Sequence, residues 1–128
     1  MANAFKLVVT VVTLVLLLLI GFLALRGIID PPAAAANFGV AVDDPAAALY
    51  SSVYRSRNLV IAAAGLIFLG LGMWRALAIL MTASIALPAF DIWLLASSGI
   101  DVALVHPATL VGVTLVAALL WLRLRLAG

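Results

Sequence analysis

The sequence predicts an all-α, polytopic integral membrane protein that folds as a four-helix bundle in a single transmembrane domain over residues 1–128. Three observations support this fold class. Hydrophobic residues make up 68% of the 128 residues, whereas soluble domains contain about 45–50%. Charged residues make up only 9%, against about 25% in soluble domains. The apolar residues form four uninterrupted runs of 19, 16, 15 and 16 residues. A water-soluble fold of this size is therefore excluded.

The first run predicts a transmembrane helix over about residues 6–26. It extends from Leu7 to Leu25, and its 19 residues are close to the roughly 20 that a bilayer crossing requires. Lys6 and the alanine tract at 33–36 also resemble a secretory signal with a small-residue cleavage site. Because a signal core has only about 7–15 apolar residues, we predict a true span.

Residues 27–44 are predicted to form a loop that caps the bundle. Asp30-Pro31-Pro32 and Asn37-Phe38-Gly39 supply the residues that break helices and favour turns. The second helix is predicted over 45–74, because Asp44-Pro45 places an N-cap acid before a proline at the first helical position.

The third and fourth helices are predicted over 76–97 and 102–123. The third follows the second through a tight hairpin, and the fourth begins either at Val102 or at Pro107. The last three apolar runs are shorter than the roughly 20 residues of a bilayer crossing. Because a spanning backbone must remain helical to satisfy its polar groups, these helices must continue through their polar flanks. Some ionisable residues are therefore expected inside the membrane.

The cationic residues predict the orientation of the spans. One side of the membrane carries Lys6, Arg75, Arg123 and Arg125. The other carries Arg26, Arg55 and Arg57. The positive-inside rule then favours a multi-pass protein of a bacterial inner membrane with both termini in the cytoplasm. The lipid bilayer is its expected partner, and Arg55 is expected to extend its side chain towards water.

Three ionisable residues are predicted to lie at one depth. Arg57, Asp91 and His106 each stand 16 or 17 residues from the residue that marks the opposite interface, which is about 24–26 Å along a helix. In a hydrocarbon core about 30 Å thick, this level is just beneath the outer interface. We expect a polar pocket there, joined by Asn58 and roofed by the loop over 27–44.

Two helical faces are predicted to turn inward and to form this pocket. On the second helix, a stripe that permits close helix packing consists of Asn58, Ala62, Gly65, Leu69 and Gly72. On the third helix, the corresponding face consists of Leu77, Leu80, Ser84, Pro88 and Asp91.

The predicted pocket residues suit acid–base chemistry. His106 and Asp91 are the expected proton donor and acceptor, and Arg57 is the third catalytic candidate because it would stabilise developing negative charge. The predicted substrate-binding residues are Asn58, Tyr54 and Asp101. Two structural alternatives stand beside this interpretation: an Arg57–Asp91 pair that only neutralises two embedded charges, and a His106 that only caps its helix.

No cofactor and no metal site are predicted. One histidine and no cysteine cannot supply the usual three or four zinc ligands, although His106 could still serve as an axial haem ligand. The net charge of +2 is spread over separate segments and forms no basic stripe. Nucleic acid is therefore not an expected partner.

Several short motifs carry a resemblance to a known family. They are Phe38-Gly39-Val40, Tyr54-Arg55-Ser56-Arg57-Asn58 followed by Gly65, Arg75-Ala76-Leu77, and Pro88 followed by Asp91. Over about residues 38–122 the chain resembles small four-helix bacterial and fungal membrane proteins classed as a domain of unknown function. The family pattern, like G-x-R-D-x-x-x-G and P-x-x-D, places its arginine at Arg57 and its late aspartate at Asp91. Ser56 and Asn58 stand where the pattern has Gly and Asp, and Gly65 is displaced. The resemblance implies the fold and assigns no chemistry.

Two classes of function follow. The first is the binding or transformation of a lipophilic small molecule, by a cofactor-independent isomerase, cyclase or epoxide-opening reaction if the protein is an enzyme. The alternative is a non-catalytic structural or assembly subunit of a membrane complex, including a homo-oligomer packed through the second helix. An ion pathway is ranked last, because the inner half of the bundle has few polar residues.

Overall fold

A computed structural model of the protein describes residues 2–38 and 44–126. The described residues form α1 (Ala2–Ile29), α2 (Pro31–Phe38), α3 (Pro45–Gly70), α4 (Trp74–Ser84), α5 (Ala86–Ser97) and α6 (Val105–Arg125). Four helical segments are long and apolar enough to cross a membrane: Asn3–Ile29, Ala47–Gly70, Trp74–Ser97 and Val105–Arg125. α4 and α5 together form the third of these spans. The predicted fold class, an all-α membrane protein with four packed spans, is confirmed.

Part of the predicted loop over 27–44 is helical. α1 continues to Ile29, and α2 follows after a single residue, Asp30. The Asp30 carboxylate accepts a hydrogen bond from the Ala33 N–H at 3.2 Å, so Asp30 acts as the N-cap of α2. The two prolines then occupy the first turn, where an N–H would have no helical acceptor. The rest of the predicted loop, residues 39–43, lies outside the described residues.

The turn between α3 and α4 ends the second span earlier than predicted. α3 stops at Gly70 instead of continuing to Trp74, which begins α4. Gly72 has a φ of 67°, a conformation that residues with a Cβ disfavour. The Met73 N–H donates to the Phe68 carbonyl at 2.8 Å, which completes a Schellman motif. The predicted hairpin is present, and its glycine fixes where the helix stops.

The connection between α5 and α6 is also set by a glycine. Gly99 has a φ of 70° and ends α5 just after the predicted boundary at residue 97. α6 begins at Val105, between the two predicted starts at Val102 and Pro107. This short connection keeps α5 and α6 side by side.

α1 and α3 pack through small residues. A Cβ added to Gly65 of α3 would lie 2.5 Å from Cδ2 of Leu17, a side chain of α1 that is completely buried. One turn earlier, Ala62 lies opposite Gly21, where an added Cβ would be 3.5 Å from the alanine Cβ. Gly65 and Ala62 belong to the predicted stripe. They allow the two helices to approach closely in a membrane, where helix association depends on packing.

The end of the bundle opposite the predicted pocket, here called the basic end, is held by Arg123 of α6. Its Nη1 donates to the Lys6 carbonyl at 2.7 Å and to Thr10 Oγ1 at 3.2 Å. Its guanidinium also lies over the Trp74 ring, 3.5 Å from the centroid. A single side chain therefore links α1, α4 and α6.

We expect Arg123→Ala to lower the free energy of unfolding by about 1–3 kcal/mol, because it removes two charge-assisted hydrogen bonds and a cation–π contact. Arg123→Lys should recover only part of this loss, since an ammonium lacks the planar fork that allows stacking and hydrogen bonding together. The measurement is reversible unfolding in mixed detergent micelles. Arg125→Ala, an exposed arginine of the same helix, is the control. Equal losses for Arg123→Ala and Arg125→Ala would contradict the assignment.

Candidate functional site

A cavity of about 140 Å³, here called the main cavity, lies between all four spans near the end of the bundle opposite the basic end. Its lining residues are Ile20, Leu23, Ala24, Tyr54, Arg55, Asn58, Ile61, Ser84, Leu87, Pro88, Asp91, Val105, His106, Thr109 and Val113. An engineered apolar cavity of about 150 Å³ admits a benzene molecule. The main cavity therefore has room for a group of about that size.

Three polar side chains from three different helices meet in the main cavity. Asp91 Oδ2 accepts a hydrogen bond from the Tyr54 hydroxyl at 2.9 Å. The same oxygen lies 3.7 Å from Nδ1 of His106, whose side chain is only 4% exposed. Since an embedded carboxylate without partners is very costly, this convergence explains how Asp91 is accommodated. It also places a phenol, a carboxylate and an imidazole within reach of one bound molecule.

A proline opens the helix that carries Asp91. Pro88 has no N–H, so the Ser84 carbonyl loses its usual partner four residues on. The span is interrupted at this point, because α4 ends at Ser84 and α5 starts at Ala86. Ser84 and Pro88 both line the main cavity. In a membrane, a carbonyl released in this way is tolerated where it is buried in protein or lines a cavity.

The structure brings together four of the residues predicted for the pocket. Tyr54, Asn58, Asp91 and His106 all line the main cavity. Asp101 does not: it is exposed in the connection between α5 and α6, and it is absent from the lining among the described residues. The depth scale that predicted the convergence of Asp91, His106 and Asn58 therefore gave the correct level.

Arg57 was expected in the pocket, and its placement there is wrong. Its side chain is exposed and does not line the main cavity. The expected Arg57–Asp91 pair is likewise not formed, since within the described part of the chain the ion-pair partner of Asp91 is His106. One residue on α3 is about 100° of rotation, and Arg57 lies on the side of α3 that turns away from the other helices.

Arg55 takes the position that was expected for Arg57. It lines the main cavity, and its Nε is buried with no hydrogen-bond partner, so the expectation that this side chain reaches towards water does not describe its inner part. The sequence contained a usable signal. Arg55 precedes Asn58 by three residues and therefore extends the predicted inward stripe by one turn, whereas Arg57 only borders that stripe.

The space for Arg55 is provided by a glycine on α1. Gly27 is buried, and a Cβ added to it would collide with the Cδ, Nε and Cζ atoms of Arg55. The guanidinium can lie against α1 only because residue 27 has no side chain. Thr109, which also lines the main cavity, was not predicted and lies one turn after His106.

The residues that the structure describes contain no group of three or more histidine, cysteine, aspartate or glutamate side chains that could hold a metal ion. The polar part of the main cavity is instead a hydrogen-bonding arrangement with one carboxylate at its centre. Such an arrangement can exchange protons with a bound molecule or fix its orientation.

Four packed spans around a cavity with polar and apolar walls define a small, multi-pass helical membrane protein. Within this class, the chain belongs to the family described as domain of unknown function DUF4267, whose sequence model matches residues 17–122. The match confirms the resemblance found in the sequence and extends it back into α1. It includes every residue that lines the main cavity. No curated protein and no solved structure matches the chain.

Proposed function

We propose that the protein binds a lipophilic small molecule in the main cavity. The observation that carries the proposal is the combination of apolar walls from four membrane spans with a converging polar group, Tyr54, Asp91 and His106. Ligand sites are typically apolar cavities with a small number of placed polar groups. Ionisable residues inside a membrane bundle are by default functional.

The polar side chains could also transform the bound molecule. Asp91 and His106 would act as proton acceptor and donor, with Tyr54 keeping the carboxylate in place. Arg55 and Asn58 would stabilise negative charge that develops on an oxygen of the substrate, the role that the sequence assigned to Arg57 and Asn58. These groups suit a cofactor-independent isomerisation, cyclisation or epoxide opening, in which protons move and no electrons are exchanged with an external partner.

A non-catalytic structural role is the second candidate. It is favoured by the fact that Asp91 contacts Tyr54 and His106 at the same time, so that one carboxylate links α3, α5 and α6. In this case the protein would be a structural or assembly subunit, and the polar cluster would serve stability alone.

The two candidates separate when the main cavity is filled. Ile61→Phe adds volume to a residue that lines the main cavity, while Val60→Phe adds the same ring at a neighbouring position that is 67% exposed. Protein purified in native-membrane nanodiscs would be extracted and the extract analysed by mass spectrometry. We expect a hydrophobe that co-purifies with wild type and Val60→Phe and is depleted at least about tenfold in Ile61→Phe. Extracts that are identical for all three proteins would exclude a site in the main cavity and favour the structural role.

A further inference from the structure

A second cavity of about 80 Å³, here called the arginine cavity, adjoins the main cavity. It is lined by Leu23, Arg26, Ala34, Asn37, Arg55 and Val105. Leu23, Arg55 and Val105 line both cavities, so the two spaces are separated by little more than the Arg55 side chain. α2, which the sequence analysis treated as part of a loop, forms one wall of the arginine cavity.

The arginine cavity has the chemistry of an anion site. Two guanidinium groups and one amide line it, and among the described residues it has no carboxylate. The nearby Asp30 uses its Oδ1 to cap α2. Arginine and asparagine side chains are strong donors to carboxylate and phosphate oxygens.

Arg55 adds an independent indication. Its Nε is buried and has no hydrogen-bond partner, although buried polar groups in proteins are nearly always paired. An acceptor from a bound molecule would complete it. Gly27 shows how specifically the side chain is accommodated, because a Cβ there would collide with the end of Arg55.

We propose that the arginine cavity binds the anionic group, a carboxylate or a phosphate, of an amphipathic ligand whose apolar part occupies the main cavity. This inference rests on the proposed function and names its ligand class. Arg26 and Arg55 bind the oxygens, Asn37 on α2 donates to the same group, and the ligand passes Arg55 where the two cavities share a wall. Proton transfer at Asp91 and His106 would then act on the apolar part, at the carbon atoms nearest to the anionic group.

The test compares probes that share one chain and differ in charge. Full-length protein in phosphatidylcholine nanodiscs would be titrated with dodecanol, dodecanoate and dodecyl phosphate, with binding followed by native mass spectrometry. We expect the two anions to bind at least about tenfold more tightly than dodecanol. Arg55→Gln and Gly27→Ala should remove most of this preference while leaving dodecanol binding within about twofold of wild type. Arg75→Gln, an exposed arginine at the basic end, should leave all three affinities unchanged.

Further arms identify the source of the anion and separate the two proposals. Competition by inorganic phosphate alone would indicate a free anion, which overturns the assignment to an amphipathic ligand. Enrichment of phosphatidylglycerol from mixed nanodiscs would identify a lipid headgroup as the natural form and support it. Equal binding of dodecanol and both anions would overturn the anion site and leave the proposed function intact. Binding of no probe would overturn both.

Discussion

Gly65→Leu is expected to lower the free energy of unfolding by about 1–3 kcal/mol or more, because it overpacks a close helix contact. A Cβ at this position would lie 2.5 Å from Leu17 Cδ2 and 3.4 Å from Leu17 Cγ. Leu17 is completely buried, so it cannot turn towards lipid to make room. The remaining response is a separation of α1 from α3, which loses packing along the whole interface.

The glycine at the end of the same helix supplies the control. An added Cβ at Gly70 would meet no heavy atom within 4 Å, so Gly70→Leu gains helix propensity without a clash. The double variant Leu17→Ala with Gly65→Leu should recover part of the lost stability, because the smaller side chain makes space for the larger one. Unfolding in mixed micelles measures all four proteins. A loss in Gly65→Leu that Leu17→Ala does not reduce would contradict this contact.

The four spans were predictable because hydrocarbon imposes a simple requirement on the chain. An apolar run must be helical to satisfy its backbone, and the charged residues between the runs mark the connections. The helix ends were less predictable. Near Gly72 the residues remain apolar while the helix stops, and hydropathy does not distinguish an apolar turn from an apolar helix. The positive φ of Gly72, at 67°, is a local backbone property that the apolar pattern does not contain.

The candidate site shows the difference between depth and direction on a helix. Arg55 and Arg57 are two residues apart, which is about 3 Å in depth but about 200° in direction. The depth scale therefore predicted the level of Asp91 and His106 correctly and could not choose between the two arginines. The choice depends on where α3 packs against α1, and in particular on the space above Gly27. That contact joins residues far apart in the chain and is not visible in the local pattern.

Asp91→Asn is expected to reduce the amount of co-purified ligand about tenfold or more, with a change in stability of at most about 1 kcal/mol. The amide has nearly the same shape as the carboxylate, and its oxygen can still accept the hydrogen bond that Tyr54 now donates to Asp91 at 2.9 Å. The substitution removes the negative charge beside His106, and with it a charge-assisted interaction worth about 1.5–3 kcal/mol, which corresponds to roughly 10–100-fold in affinity.

The stability of Asp91→Asn separates a binding site from a structural cluster. If the polar cluster only holds α3, α5 and α6 together, removing its charge should lower the midpoint of thermal unfolding and leave the extracted lipids unchanged. If the cluster serves a ligand, the order reverses: the midpoint stays near that of wild type and the ligand is lost. Ser97→Ala, which alters an exposed hydroxyl at the end of the same helix, controls for substitution in α5 and should change neither quantity. Tyr54→Phe refines the result, because loss of the hydroxyl leaves Asp91 charged but unsupported on one side. Its effect on binding should therefore lie between those of Ser97→Ala and Asp91→Asn.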